Sequence, residues 1–431
     1  MSSSYAYQKQ PSPTKDARSS QPRAPPGTPL PITPASLTRL RPARVFQKAV
    51  DPGPSDPGAN GNGNVSGPGP RTITSLSFDN TGEFLVTAAE DEAFRLYNCR
   101  YGKLVKPLYS KKYGVDLATF THKNTNILHA STKEDNTVRY HSLYDNRYLQ
   151  YFKGHKKRVI CIEMSPVDDT FLTSSLDKTV RLWDLRSPTC RGLLNLPRAP
   201  IVAYDNTGVV FAVALSSPPR IALYDAAAWD TEPFLTVDLT DTQLAKRAFP
   251  PRVPVITSLQ FSSNGKWLLV GTAGDTHYVL DSFNGDLLAR LEGHVGLERG
   301  KLPKTPPSIT PQRGISGQEI TFTPDSKFVL AGSHTGKWHA WDLTSKEETM
   351  SGLLVGKENE VRTLMPNVGL EGHAGPIRCL RWNPRFGMMA TAGEELAFWL
   401  PEKKLDMMRG RDGERERERR LSNDVKMSDA R

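Results

Sequence analysis

Short runs of alternating apolar and polar residues recur along this chain, each followed by a polar turn and a second, more apolar run. The clearest examples are TSLSFDNTGEFLVTAA, VICIEMSPVDDTFLTSS, TSLQFSSNGKWLLVGTA, QEITFTPDSKFVLAGS and IRCLRWNPRFGMMATAG. Alternation with a period of two is typical of a half-buried strand, and Gly, Pro, Asn or Asp between two such runs indicates a hairpin. The pattern therefore predicts a chain built from hairpins of short strands.

A third apolar run closes each of these units. In the best-formed unit Asp177 precedes Trp183 by six positions, and other units end in the same way, at Tyr97, His141, Tyr224, Asp281, Trp341 and Trp399. The first end-points are 41 to 44 residues apart and the later ones 57 to 60, and Gly-His pairs open three units, at His155, His294 and His373. A repeat of about 40–45 residues is the WD40 signature. We predict an all-β fold, a WD40 β-propeller with seven four-stranded blades.

Some of the sequence lies outside these repeats. Residues 1–42 are rich in Pro and Ser and poor in large apolar residues, so we predict a disordered tail there and a second, charged tail at 402–431. The predicted propeller is then 43–401. It includes a Gly/Pro-rich loop at 51–70 and a Pro-, Lys- and Arg-rich insertion at 295–316.

The last unit lacks one strand. It ends near Trp399, whereas the inner strand of the first unit begins only near Ile73. The segment ARVFQKAV, residues 43–50, is left over, and we predict that it supplies the outer strand of the seventh blade. Such an overlap ties the two chain ends together and avoids the exposed sheet edges of an unclosed ring.

Four residues of the best-formed unit are candidates for a hydrogen-bonded network: His155, Ser175, Asp177 and Trp183. Buried polar groups in a network must all be satisfied, so such a set favours one fixed arrangement of the turns and inner strands of the third blade. His, Ser and Asp are also the members of a hydrolase triad. Because the same set recurs as blade architecture, we interpret these four residues as a structural tetrad.

The net charge of +10 raises the question of nucleic-acid binding. Residues 1–44 carry +6 of this charge and residues 402–431 carry +2, so the repeats between them are nearly neutral. We expect any contact with nucleic acid to be made weakly through the tails and to be sensitive to salt.

Other classes of function have little support in the sequence. No apolar run approaches the roughly 18–20 residues that span a bilayer, and the N-terminus lacks the apolar core of a secretion signal, which favours an intracellular protein without membrane contact. The four cysteines are scattered without a CxxC pair, so we expect reduced thiols and no metal site. Without an HExxH or phosphate-loop motif, we predict neither an enzyme nor a cofactor.

Several segments are more specific than a general propeller pattern. They are LYSKKYGVDL (108–117), SPVDDTF and SLDKTVRLWDLRSP (within 165–188), FTPDS (322–326) and AFWLP (397–401). In these segments the chain resembles the WD-repeat-containing protein 82 family, and the resemblance covers roughly residues 43–401. It implies a non-catalytic scaffold subunit of COMPASS, a histone H3 lysine-4 methyltransferase complex.

The resemblance also implies partners and a location. Members of the family bind the N-terminal region of the SET-domain methyltransferase within COMPASS and link it to transcribing RNA polymerase II through the phosphorylated C-terminal domain of the polymerase. They also occur in assemblies for transcription termination and mRNA 3′-end processing, either cleavage and polyadenylation factor or a protein phosphatase 1 complex. We accordingly expect a nuclear, chromatin-associated protein.

Two neighbouring blades carry a candidate surface for such a partner. Aligning the second and third units places SKKYGV over GHKKRV, so the loops that enter two adjacent inner strands carry five cations and a tyrosine: Lys111, Lys112, Tyr113, Lys156, Lys157 and Arg158. Together these groups fit a phosphorylated or acidic peptide through charge-assisted hydrogen bonds. The alternative interpretation is a cluster of solvated loop charges.

A second function remains open at the end of the third unit. The sequence WDLR (183–186) fits the Trp-Asp-x-Arg box of substrate receptors for cullin-4 ubiquitin ligases, in which Arg186 would contact the ligase adaptor. Many propellers carry this box, so we prefer the COMPASS interpretation.

Overall fold

The computed structural model describes residues 32–51, 71–229, 231–241, 243, 254–300, 317–344 and 361–402. The strands in this part of the chain form seven separate sheets. The sheets follow one another as blades one to seven, which confirms the predicted all-β, seven-bladed WD40 propeller. Residues 1–31 and 403–431 of the predicted tails, most of the 51–70 loop and residues 301–316 of the insertion lie outside the described residues.

The described chain begins with a short helix, α1 (Pro34–Leu37), and a strand, β1 (Leu40–Phe46), that belongs to the last blade. Blade one contains β2 (Ile73–Phe78), β3 (Phe84–Ala89), β4 (Ala93–Asn98) and β5 (Lys103–Tyr109). Blade two contains β6 (Asp116–Phe120), β7 (Asn126–Ala130), β8 (Val138–Ser142) and β9 (Arg147–Phe152). Blade three contains β10 (Val159–Met164), β11 (Thr170–Ser175), β12 (Thr179–Asp184) and β13 (Ser187–Asn195).

The later blades are less uniform. Blade four contains β14 (Pro200–Tyr204), β15 (Val210–Ser216), β16 (Pro219–Asp225) and β17 (Leu235–Asp238). Blade five contains β18 (Ile256–Phe261), β19 (Trp267–Thr272), β20 (His277–Asp281) and β21 (Leu287–Leu291), followed by a 3-10 turn at Leu297–Gly300. Blade six contains β22 (Ile320–Phe322), β23 (Phe328–Gly332), β24 (Lys337–Asp342) and β26 (Val368–Glu371), and β25 (Arg362–Leu364) lies between the last two along the chain. Blade seven contains β27 (Cys379–Trp382), β28 (Met389–Ala392), β29 (Leu396–Pro401) and β1.

A repeated side-chain contact fixes the hairpin between the first two strands of several blades. The backbone N–H of Phe84 donates to the Asp79 carboxylate at 2.8 Å across the turn of blade one. Three other blades make the same contact, from Val210 to Asp205, from Trp267 to Ser262 and from Phe328 to Thr323. A short polar side chain that caps its own turn in this way explains why Asp, Ser and Thr precede the second apolar run.

The core is divided between the blades. Seven buried apolar clusters each join two neighbouring blades, and the cluster between blades seven and one completes the circuit. An open array of seven blades would have six such interfaces, so the ring is closed. The first strands surround a central channel of about 430 Å³, to which every blade contributes, through Leu76, Leu117, Ile160, Ile201, Thr257, Ile320 and Arg381 among others.

The ring is closed by β1, which pairs antiparallel with β29 from Leu40 opposite Pro401 to Phe46 opposite Leu396. The strand thus begins three residues before the predicted segment 43–50 and ends four residues before that segment does. Phe46 packs against Phe398 of blade seven and Tyr97 of blade one, with ring centroids 5.3 and 4.8 Å away.

The predicted boundary of the N-terminal tail at residue 42 falls within β1, and the structure places α1 and the start of β1 before it. Leu37 and Leu40 are buried between blades six and seven, and Thr33 caps α1 by accepting from the Ser36 N–H. A few apolar residues in a Pro- and Ser-rich context are enough to order this segment, because they insert into a preformed interface.

Blade five departs from the predicted four strands. A fifth strand, β25, pairs parallel with β21 and comes from the connection between β24 and β26 of blade six. The longer connection between β16 and blade five contains the outer strand of blade four, β17. The described part of the chain contains no helix with the length and apolar character to cross a membrane.

Candidate functional site

The two basic loops lie side by side at the entrances to the inner strands of blades two and three. The first, residues 110–115, precedes β6, and the second, residues 156–158, precedes β10. The Arg158 guanidinium contacts the buried Asp116 carboxylate at 2.6 Å and so joins the two loops directly. The Lys and Arg side chains on these loops are exposed and Tyr113 is half-buried: Lys111, Lys112, Lys156, Lys157 and Arg158 face solvent. We call these six residues the basic patch.

The loop at 110–115 is held by its own backbone. Gly114 has φ of +68° and donates to the Ser110 carbonyl at 2.8 Å, and a Cβ at this glycine would lie 1.9 Å from the Thr132 hydroxyl. The Tyr113 carbonyl accepts from the Thr132 and Lys133 N–H groups at 3.0 and 2.9 Å. The turn before β8 therefore fixes the loop, and glycine is the residue that its conformation requires.

A buried arginine supports the same loop from below. The guanidinium carbon of Arg139 lies 3.8 Å from the ring centroid of Tyr113 and 5.7 Å from those of Tyr148 and Tyr151. The Asp135 carboxylate pairs with this guanidinium at 2.8 Å. Burial alone would raise the pKa of Asp135, but the hydrogen bonds from Arg139 and Thr137 together lower it. A guanidinium over the face of an aromatic ring is attracted to it, so Arg139 helps to position Tyr113.

In blade three the corresponding support comes from hydrogen bonds around His155, here called the His155 network. The His155 Nδ1 lies 3.0 Å from Asp177, and its Nε2 lies 2.8 Å from the Thr173 hydroxyl. That hydroxyl also accepts from the Trp183 indole N–H at 2.8 Å. Because the Asp177 carboxylate can only accept, His155 donates to it from Nδ1, and the Nε2 of the neutral ring accepts from the Thr173 hydroxyl.

Ser175 joins the network through Asp177 and not through His155. Its hydroxyl donates to the Lys157 carbonyl at 2.8 Å and accepts from the Asp177 N–H at 3.1 Å. Asp177 in turn accepts from the Lys156 N–H at 2.8 Å. Thr173, which the sequence interpretation omitted, is therefore the link between His155 and Trp183, whereas Ser175 and Asp177 fix the backbone of the two lysines in the basic patch.

The electrostatics of this network favour a neutral histidine and a charged aspartate. Burial lowers the pKa of His155, although the hydrogen bond to Asp177 acts in the opposite direction. Burial alone would raise the pKa of Asp177, but hydrogen bonds from Thr179, the Lys156 N–H and His155 lower it to about 2. Because the Ser175 hydroxyl donates to a backbone carbonyl, it does not form the nucleophile–base pair of a hydrolase triad.

Comparison with known proteins gives long matches. The WD domain, G-beta repeat family matches residues 63–98 and 146–184. The chain is 39% identical to WD repeat-containing protein 82 of Drosophila melanogaster over 331 residues, which are 76% of this chain and 90% of the fly protein. It is 38% identical to the Set1 complex component swd2 of Schizosaccharomyces pombe and 31% identical to the COMPASS component SWD2 of Saccharomyces cerevisiae. These two matches each cover 76% of this chain, with 92% and 90% of the relative.

The chain belongs to the WD repeat-containing protein 82 family. This confirms the resemblance drawn from LYSKKYGVDL, AFWLP and the other quoted segments. In this family member, LYSKKYGVDL contains the whole first loop of the basic patch and the Asp116 that pairs with Arg158. The segment AFWLP lies in β29, where the ring is closed.

Part of the His155 network recurs in blade seven of this family member. The Thr391 hydroxyl is 2.7 Å from both the His373 Nε2 and the Trp399 indole nitrogen. Glu395 takes the place of the aspartate, with 3.4 Å between its carboxylate and the His373 Nδ1. Burial lowers the pKa of His373 to about 4. The Gly-His at 373 and the closing Trp399 were visible in the sequence, but a shortened turn hid the rest.

Arg186, the candidate ligase-adaptor contact, lies at the other end of blade three from the basic patch. It follows the end of β12, whereas Asp177 precedes its start. Its guanidinium is largely exposed and makes a two-pronged contact with Asp184, at 2.8 and 2.9 Å. The hydrogen bonds from Arg186 lower the pKa of Asp184 to about 2 despite burial. The WDLR sequence thus places on the surface an arginine that is already paired with Asp184.

Arg139 is the main residue of this site that the sequence interpretation missed. A signal was present, since an arginine follows the turn aspartate by four positions in three successive blades, at Arg95, Arg139 and Arg181. In blades one and two the pair is formed, between Asp91 and Arg95 and between Asp135 and Arg139. The described residues hold no cluster of three or more His, Cys, Asp or Glu side chains arranged for a metal ion.

Proposed function

We propose that this chain is the WD40 subunit of a COMPASS-type histone H3 lysine-4 methyltransferase complex and that it acts by binding. Two relatives named as a Set1 complex component and a COMPASS component support this proposal, as does the match of about nine-tenths of their length. A closed ring with rigid interfaces suits a platform for partners. The proposed partners are the SET-domain methyltransferase and other COMPASS subunits, and the proposed location is chromatin in the nucleus.

We propose further that the basic patch binds a phosphorylated peptide, with the phosphorylated C-terminal domain of RNA polymerase II as its ligand. The observation that carries this is the 2.6 Å contact between Arg158 and Asp116, which sets two exposed Lys-Lys pairs next to each other. A phosphate group with two negative charges fits between cations held at a fixed spacing, because charge-assisted hydrogen bonds are strong and directional. In this way the subunit would link the methyltransferase to transcribing polymerase.

The test is charge reversal without damage to the loops. Lys111→Glu with Lys112→Glu, and separately Lys156→Glu with Lys157→Glu, leave the Arg158–Asp116 contact in place. We expect each pair to weaken binding of a phosphorylated polymerase C-terminal-domain peptide by at least about tenfold in fluorescence anisotropy, because a hydrogen bond to a charged group contributes roughly 1.5–3 kcal/mol.

The matched control is Lys266→Glu with Lys327→Glu. Both lysines are exposed in hairpins between the first and second strands of blades five and six, away from the basic patch. The control should keep full affinity. Equal affinity of all three double variants would remove the basic patch from the proposal, and retention of the methyltransferase by the control would show that assembly is intact.

Two further assemblies stay predictions. One is a transcription-termination complex, either cleavage and polyadenylation factor or a protein phosphatase 1 complex. The other is a cullin-4 ligase that uses Arg186. Affinity purification of the full chain and of Arg186→Glu from nuclear extract, with mass spectrometry, separates them: a ligase adaptor lost only from the variant supports the second, and methyltransferase subunits kept by both support COMPASS.

A further inference from the structure

The central channel is lined near one end by one residue from almost every blade. The penultimate residues of the seven first strands are Ser77, Thr119, Glu163, Ala203, Gln260, Thr321 and Arg381. Six of these seven line the channel. The channel opens on the face that carries the turns after these strands, where Asn80, Asn206 and Pro384 line it and are exposed. We call this end, defined by the last three residues, the channel mouth.

Two of the penultimate residues tie neighbouring first strands together. The Ser77 hydroxyl accepts from the N–H of Phe120, the last residue of the first strand of the next blade, at 3.1 Å. The Gln260 Oε1 accepts from the Phe322 N–H of the next blade at 3.1 Å in the same way. Because the same offset recurs in both pairs, we place the penultimate residues at one level of the ring, just inside the channel mouth.

Glu163 lies at this level in blade three without such a partner. Its side chain is half-buried, and within the part of the chain that the structure describes its carboxylate forms neither a hydrogen bond nor an ion pair. Burial raises the pKa of Glu163 to about 7, although the charge of Arg381 acts in the opposite direction. A partly desolvated carboxylate without a donor is unfavourable, so this group is suited to a ligand that brings a positive charge.

Arg381 faces Glu163 across the channel, because blades seven and three are separated by two blades on one side of the ring and by three on the other. Its Nη1 donates to the Ile320 carbonyl at 3.0 Å, and its Nε and Nη2 have no hydrogen-bond partner among the described residues. Gln260 and Gln318 line the channel on blades five and six, and since each amide oxygen accepts a backbone N–H, their amide nitrogens remain as donors. The channel thus has a cationic, donor-rich wall opposite a carboxylate.

We propose that the central channel, just inside its mouth, binds a small zwitterion of the amino-acid type, whose ammonium pairs with Glu163 and whose carboxylate pairs with Arg381. The channel volume of about 430 Å³ is in the range of small-molecule sites, in which a few polar groups are set among apolar ones. A molecule with both charges compensates both side chains at once. A cation alone is repelled by Arg381, and an anion alone is repelled by Glu163.

This site is distinct from the basic patch. The basic patch lies on loops that precede the first strands, whereas Glu163 and Arg381 lie near the ends of these strands. The proposal therefore does not depend on the binding of a phosphorylated peptide.

The experiment is isothermal titration calorimetry of the full chain with unbranched ω-amino acids of roughly two to six carbon atoms, because the attraction depends on how well the two charges match the spacing of the site. The amine and the carboxylic acid of each length are titrated beside them. We expect the best amino acid to bind at least about tenfold more tightly than its amine or its acid, since both of its ends form charge-assisted hydrogen bonds. A peptide of alternating Lys and Glu, blocked at both ends, tests a protein ligand and should bind more weakly.

Single variants locate the binding. Glu163→Gln keeps the shape of the side chain and should weaken the best amino acid at least about tenfold, and Arg381→Gln should also weaken it. Glu394→Gln, which changes an exposed acid in the turn between β28 and β29, should leave the affinity unchanged. The melting temperature of Glu163→Gln should equal or exceed that of the unaltered chain, because an unpartnered carboxylate is removed. A loss of binding by this variant is then not a loss of folding.

Several results would overturn the proposal. They are an affinity for every amino acid no higher than for its amine or acid, binding of the blocked peptide as tight as that of the best amino acid, and equal effects of Glu163→Gln and Glu394→Gln. A lower melting temperature of Glu163→Gln would instead make Glu163 and Arg381 a structural pair. Lys156→Glu with Lys157→Glu should weaken the phosphopeptide and retain the amino acid, so a failure here and a failure of the basic patch give different outcomes.

Discussion

Blades two and three solve one structural problem with different chemistry. Each must hold the loop before its inner strand against the turn before its third strand. In blade three His155 and the Lys156 N–H reach Asp177 from that loop. In blade two the corresponding aspartate, Asp135, pairs instead with Arg139 of β8, and Tyr113 stacks on the Arg139 guanidinium. The anchoring of the loop is thus preserved although the histidine and tryptophan are absent.

The two loops also differ in the group that anchors them, which is an imidazole in blade three and a guanidinium in blade two. The His155 network runs through an uncharged imidazole, so protonation can disturb it. The Arg139 anchor is instead an ion pair with Asp135 and a stack on Tyr113. The comparison teaches that an irregular repeat can be recognised by what its loop must contact, even where its signature residues have been replaced.

The largest expected effect comes from the two aromatic positions that correspond in these blades. Trp183→Ala removes a fully buried side chain and should lower the free energy of unfolding by about 3–5 kcal/mol. His141→Ala, at the matching position of blade two, removes a smaller ring with one side-chain hydrogen bond, to Asn146, and should cost about 1–3 kcal/mol. Chemical denaturation measures both, and equal losses would contradict the asymmetry between the blades.

The next effect tests which hydroxyl links the histidine to the tryptophan. Thr173→Val leaves the Trp183 N–H and the His155 Nε2 buried without their partner, so a loss of about 2–4 kcal/mol is expected. Ser175→Ala leaves that chain intact and should cost only about 1 kcal/mol. If Ser175→Ala were the more damaging change in thermal unfolding, the arrangement of the network would be different.

A smaller effect distinguishes the arginine anchor from a simple positive charge. Arg139→Lys retains the charge but loses the planar fork on Asp135 and the stacking on Tyr113. We expect about 1–2 kcal/mol of lost stability and a several-fold weaker phosphopeptide affinity, since the loop of the basic patch loses its support. Arg95→Lys in blade one is the control, with a similar loss of stability and unchanged affinity.

The smallest expected effect is a dependence of stability on pH that comes from His373 of blade seven. Since burial lowers the pKa of His373 to about 4, the unfolded chain binds more protons than the folded one between pH 6.5 and 4. Stability should therefore fall as pH falls through this window, by less than about 1 kcal/mol for this group between pH 7 and pH 6. His373→Gln should make the melting temperature depend less steeply on pH, whereas Arg139→Lys should leave this dependence unchanged.

Periodicity was sufficient to predict the blades but not the contacts between distant segments. All seven predicted end-points lie on third strands, because each blade is a local hairpin array whose pattern is read from adjacent residues. The start of β1 at Leu40 was hidden by its neighbours: Pro42 and Arg44 interrupt the alternation, and the burial of Leu40 comes from another blade. Strand β25 pairs across blades, which no local pattern encodes.

The same limit explains why Thr173 was missed. Thr173 and Ser175 are two positions apart, so both side chains point to the same face of β11, and alternation cannot say which of them meets the histidine. The answer depends on how far His155 reaches from the preceding loop. The spacing of four between Asp135 and Arg139 was readable, yet its meaning appeared only when Tyr113 was found on the guanidinium.

The pairing of β1 with β29, which closes the ring, has a consequence for biosynthesis. The Arg39 guanidinium donates to the Glu402 carbonyl at 2.8 Å, a separation of 363 residues. A ribosome therefore delivers the closing strand first and its partner last, and the entropy of closing so long a loop must be met in one late step. Until then the nascent protein carries an unfilled edge at each end, so newly made copies risk exchanging these strands with one another before each ring can shut on itself.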